Sequence, residues 1–155
     1  MRTCQSHLPH FRYQWFGAFR LRDYLETVSE PDHIWPPEDA TNGIYVVSTK
    51  PWTGVPTEND GILYVGGNRE DDSCFYDRVI FVISESLGLY GGRHASRSKG
   101  GQSIFEHCCK HHLKPLNLYV GWAIGVPCRR CAERQAIEAL KPVCNKNAAP
   151  RCDIH

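Results

Sequence analysis

"GIYVVSTKPWTGVPTENDGILYVGG" fills residues 43–67. Residues 44–48 and 62–65 are rich in β-branched and aromatic side chains, and a Pro/Gly/Asn/Asp loop divides them, so the stretch reads as two strands of a hairpin. Each run sets a tyrosine next to a glycine, in Gly43-Ile44-Tyr45 and in Tyr64-Val65-Gly66.

Working outward, residues 1–16 are aromatic and histidine-rich without a clear period, and residues 17–30 read as a short helix ended by Pro31. A proline-broken connector covers 31–42. Residues 75–90 contain "VIFVI", which suits a buried strand, but the length of the run and the following Gly88 favour a helix. A glycine-rich basic loop, "GGRHASRSKGG", spans 91–101. Helix is expected over 102–113, a third strand over 117–125, and a short helix over 132–141 closed by Pro142. Strands with helices packed around them give an α+β fold with a small three-stranded antiparallel sheet flanked by helices. The expected organisation is an N-terminal extension, 1–40, packed on a core domain, 41–155.

The 155 residues suit one compact domain. Charge is unevenly spread: residues 1–72 hold six Lys/Arg against eleven Asp/Glu, and residues 73–155 hold twelve against six. The second half is the expected polyanion-facing half. No apolar signal core and no run of ~20 apolar residues is present, so neither a membrane span nor secretion is expected. The expected location is the cytoplasm (bacterial or phage-like) or the nucleus. Eight cysteines in such a chain point to a reducing compartment and to metal ligation before disulfides.

Gly43-Ile44-Tyr45, Tyr64-Val65-Gly66, an arginine in the next helix and "ERQAIEALKPVCN" (133–145) together resemble the GIY-YIG nuclease superfamily over residues 43–145. The resemblance implies hydrolysis of DNA phosphodiesters by water with Mg²⁺ or Mn²⁺. It implies Tyr45 as general base, Tyr64 as a partner orienting water or phosphate, Arg78 as the grip on the scissile phosphate, Glu133 as the metal ligand and Asn145 as a brace. A phenol has an ordinary pKa of about 10, so a basic Tyr45 needs nearby cations to favour its phenolate. Glu133 also stands out on periodicity, because Ala136, Ile137 and Leu140 fall within about 60° of it on a helix while Glu138 lies opposite. A carboxylate on an apolar face is costly unless a cation, or a salt bridge such as one to Arg78, compensates it.

Two positions depart from the family pattern. Gly67 stands where lysine is frequent, and Val82 where tyrosine or histidine is frequent. His94, inside the glycine-rich loop, is the candidate replacement, with His107 in reserve. Arg93, Arg97 and Lys99 would supply charge to a nucleic-acid backbone, and Gly91, Gly92, Gly100 and Gly101 close approach to it. An ordinary flexible basic loop is the alternative. Partners would be DNA and, for specificity, a second copy of the chain or another protein. The other readings are a nucleic-acid-binding module of the same fold with weak or no catalysis, and a cysteine-based redox or metal sensor.

Cys128-x-x-Cys131 and, twenty residues on, Cys152-x-x-His155 form two knuckles with the spacing of a four-ligand structural Zn²⁺ site. Free thiols or a disulfide are the alternatives, and Cys144 is a possible substitute ligand. Zinc there would tie the C-terminal tail to the start of the Glu133 helix. "HCCKHH" (107–112) offers only two ligands per helix face, too few to define a site. Tyr119-Val120-Gly121 repeats the tyrosine–glycine pattern without a partner motif at hairpin distance and reads as strand packing.

Overall fold

A computed structural model describes residues 9–38, 42–67, 74–89, 99–146 and 152. Strands β1 (Trp15–Arg20), β2 (Gly43–Ser48), β3 (Ile62–Gly67) and β4 (Tyr119–Ile124) form one sheet in the order β1-β4-β2-β3, every neighbour antiparallel. Helices α1 (Leu21–Glu26), α2 (Phe75–Ser86), α3 (Lys99–Lys110) and α4 (Arg129–Leu140) surround it, with short 3-10 turns at His10–Arg12 and Pro115–Asn117.

The α+β class holds, but the sheet has four strands rather than three. The extra strand, β1, comes from the N-terminal extension, where a helix had been expected from residue 17. Its period-2 signal is broken by a bulge between Phe16 and Phe19, which pair with Trp122 and Val120. Within the bulge Gly17 has φ +119°, and a Cβ there would lie 2.9 Å from the Gly121 Cα and the Val120 carbonyl oxygen. The helical stretch is therefore cut to the six residues of α1.

Alternation along the strands sends side chains to two covered faces. Tyr45, Val47, Val120 and Trp122 join Phe75, Val79, Val82, Ile104 and Cys108 in one core, under α2 and α3. Ile44, Val46, Val65 and Ala123 join Ala132, Ala136 and Leu140 in the other, under α4. All of β2 is buried, which explains why it reads as a nearly continuous apolar run. The Tyr119-Val120-Gly121 repeat is part of β4, where the Trp52 ring lies over Gly121. Among the described residues no helix is long and apolar enough to cross a membrane.

Candidate functional site

The hairpin brings both tyrosine–glycine motifs to one end of the sheet. Tyr45 pairs with Gly66, Ile44 with Gly67 and Val47 with Tyr64. Tyr45 and Tyr64 therefore stand diagonally across the two strands on one face, their rings stacked at 6.1 Å and 26°. Gly66 makes this possible: a Cβ there would meet the Tyr45 hydroxyl, with Tyr64 Cε1 at 2.8 Å. Tyr45 is buried and Tyr64 half-buried. Phe75, the first residue of α2, lies over Gly43 with its ring 6.4 Å from that of Tyr45.

Glu133 reaches the same end from the opposite face. It is 2% exposed, alongside Ala132 and Ala136, as its helical position requires. Its Oε2 lies 3.7 Å from where a Cβ on Gly67 would stand, and that Cβ would also be 3.6 Å from Ile44 Cγ2. Phenol and carboxylate thus abut consecutive residues, Gly66 and Gly67, whose side-chain directions are opposed. They do not share one cleft wall; they straddle the end of β2 and β3. A lysine in place of Gly67 has no room, because its Cβ would sit 2.7 Å from the Gly43 carbonyl oxygen.

Arg78 is half-buried in the first turn of α2, one turn after Phe75. Val82 is fully buried in the core beneath that helix, so that position faces packing rather than a cleft. Asn145 closes the sheet's outer edge. Its Nδ2 donates to the Val65 carbonyl at 2.8 Å and its Oδ1 accepts from the Val65 N–H at 3.0 Å, as a neighbouring strand would. The backbone N–H groups of Val143 and Cys144 donate to Ile62 and Leu63, so residues 143–145 line the edge of β3.

His94, Arg93 and Arg97 lie outside the described residues, as does His155. Lys99 begins α3. Gly100 and Gly101 are not part of a loop open to phosphate. They sit in the first turn of α3, where a Cβ on Gly100 would lie 2.7 Å from the Tyr64 hydroxyl and one on Gly101 2.9 Å from Glu85 Oε2. The His107 ring lies against that of His111, centroids 4.3 Å apart and planes tilted by 41°; burial, then the charges of His111 and Lys110, lower its pKa.

The thiols of Cys128, Cys131 and Cys152 lie within 4.8 Å of one another and make the one such His/Cys/Asp/Glu group among the described residues. Cys128 and Cys152 sulfurs are 3.6 Å apart. That is far beyond the ~2.05 Å of a disulfide and close to the ~3.8 Å edge of a tetrahedron of thiolates about 2.3 Å from zinc. The cluster can hold a metal ion. Burial, then hydrogen bonding to Cys128 and Cys152, raises the pKa of Cys131, so without a cation that sulfur keeps its proton. Cys144 does not join; it is buried in the α2/α3 core with Cys108.

Sequence reasoning missed three charged residues. Glu85, buried at the end of α2, lies against the first turn of α3, where the helix dipole favours an anion. The periodicity that singled out Glu133 would have found it, since Glu85 follows Arg78 by seven residues and falls about 20° from it around the helix. Arg129 and Arg130 precede Glu133 by four and three residues, which places both on its side of α4, and Arg129 Nη1 donates to Asn42 Oδ1 at 3.2 Å. The signal was the run "RRCAER" itself.

No family model, curated protein or solved structure matches this chain.

Proposed function

We propose that this protein is a metal-dependent endonuclease of the GIY-YIG type, acting on DNA phosphodiesters. The observation that carries the reading is the meeting at one sheet end of the Tyr45 hydroxyl, against Gly66, and the Glu133 carboxylate, 3.7 Å from the Gly67 Cβ position. Burying a carboxylate costs several kcal/mol unless it is compensated, so Glu133 at 2% exposure calls for cationic company. A single carboxylate suits Mg²⁺ or Mn²⁺, which is commonly held by one or two carboxylates together with substrate phosphate. When bound at Glu133, the ion supplies charge to stabilise the departing oxygen.

In this reading the Tyr45 phenolate oxygen takes the proton of the attacking water. As the water oxygen bonds to phosphorus, the P–O bond to the leaving oxygen breaks. Tyr64, stacked beside Tyr45, orients water or phosphate through its hydroxyl. Arg78 holds a non-bridging phosphate oxygen through its planar fork. Arg129 and Arg130 take over the cationic role that Gly67 excludes. Asn145 keeps β3 in register by completing its edge. Cys128, Cys131 and Cys152 carry a structural Zn²⁺, with His155 as the fourth ligand by sequence spacing.

The closed space at Gly67 also favours a second reading, a nucleic-acid-binding module without cleavage, because no lysine can enter there. Plasmid nicking with Mg²⁺ or Mn²⁺ separates the two. Wild-type protein is expected to nick, and Glu133→Gln to lose about a thousandfold or more in rate while still binding duplex DNA, since a metal's stabilisation of transition-state charge is worth several kcal/mol. Wild-type nicking by the Glu133 variant would remove that residue's role, and binding without nicking by the wild type would favour the module.

A further inference from the structure

The three-thiol cluster stands where distant parts of the chain meet. Cys128 is the residue before α4, and its thiol makes no capping hydrogen bond to that helix. Cys131 lies in the first turn, two residues before Glu133. Cys152, 8% exposed, arrives from the C-terminal tail. From the other end of the chain, Tyr13 follows the 3-10 turn His10–Arg12 and packs into the same core as Ala132 and Ala136. The geometry has a requirement that neutral thiols meet poorly: three sulfurs must stay together although S–H groups bond weakly.

A divalent cation with three thiolates meets it, because it holds the sulfurs together at the start of α4. We infer that zinc held by Cys128, Cys131 and Cys152 clips the C-terminal tail and the Tyr13 segment to the start of α4, and that this clip sets the position of Glu133. The second part rests on the nuclease reading; the first stands without it. The cysteines act through α4 and are positioning residues.

Metal analysis of the purified full chain is expected to give about one zinc, lost in Cys152→Ser. Hydrogen exchange then reads the clip directly. Removing zinc by chelation, or by Cys152→Ser, should speed amide exchange over residues 129–140 and 10–13 about tenfold or more, while β2 and β4 stay protected. If the serine variant does not fold, chelation of the wild type gives the same readout. Absence of zinc, or zinc loss with unchanged exchange in these segments, overturns the clip. The positioning claim is read by Mn²⁺ titration of the wild type. Zinc removal should weaken Mn²⁺ binding about tenfold, and unchanged affinity overturns it. Wild-type protein that binds duplex DNA without nicking it would instead sink the nuclease reading and leave the exchange result standing.

Discussion

The two faces of the sheet are filled differently. Under α2 and α3 the packing is aromatic, with Tyr45, Tyr64, Phe75 and Trp122. Under α4 it is small and aliphatic, with Ala132, Ala136, Val46 and Val65 around one buried acid. Large rings hold hydroxyls at fixed positions at low entropic cost, whereas small residues let α4 approach the sheet until the Glu133 carboxylate lies 3.7 Å from the Gly67 Cβ position. In the nuclease reading proposed above, the first face supplies the phenols and the second the metal-binding carboxylate. They meet where Gly66 and Gly67 leave no side chain between them.

The largest test breaks the aromatic side alone. Tyr45→Phe keeps the ring stack and removes only the hydroxyl, so nicking should fall about 10²–10⁴-fold with thermal stability nearly unchanged. Tyr64→Phe should cost about tenfold. Equal, small losses in both variants would mean that the phenols only pack.

The junction itself is sharpened by its glycines. Gly67→Ala forces a Cβ to 2.7 Å from the Gly43 carbonyl oxygen, a backbone atom that cannot swing aside. Overpacking of this kind costs about 1–3 kcal/mol, read as a lower urea midpoint. Gly66→Ala meets side chains instead, the Tyr45 and Tyr64 rings, which yield by moving. It should lose less stability and more activity than Gly67→Ala. The reverse order would place the chemistry away from the tyrosine side.

Much of this was legible in the residues. The β2–β3 hairpin, α2, β4 and α4 follow from apolar periodicity, and the burial of Glu133 from its place among Ala136 and Leu140 on a helical wheel. β1 was not legible, because the bulge at Gly17 erases alternation and because strand pairing with β4 joins residues a hundred positions apart. The opposition of Tyr45 and Glu133 was hidden for a related reason. A motif records which residues are needed, and only the register, Tyr45 with Gly66 and Ile44 with Gly67, tells which face each one takes. The glycines of the basic loop misled in the other direction. Gly100 and Gly101 read as flexible but are small because Tyr64 and Glu85 press on them.

The smallest effect separates the thiols of the two faces. Burial, and for Cys108 its neighbours Cys144 and Cys109, raises Cys108 and Cys144 from the ordinary 9.0 to about 11. Their folded-state pKa lies above the unfolded value, so between pH 9 and 11 the unfolded chain sheds protons that the folded chain retains. Stability from these groups is complete below pH 9 and declines as pH rises, by on the order of 1 kcal/mol for each thiol at pH 10. Urea unfolding of the zinc-loaded protein at pH 8 and pH 10 should show this loss, and Cys108→Ala should remove about half of it. In the zinc-site reading, the thiols at α4 are held as thiolates, have no proton left to lose and should add nothing to the slope. A pH 8-to-10 loss that Cys108→Ala leaves intact, and chelation abolishes or enlarges, would move the alkaline lability from the aromatic face to the α4 face.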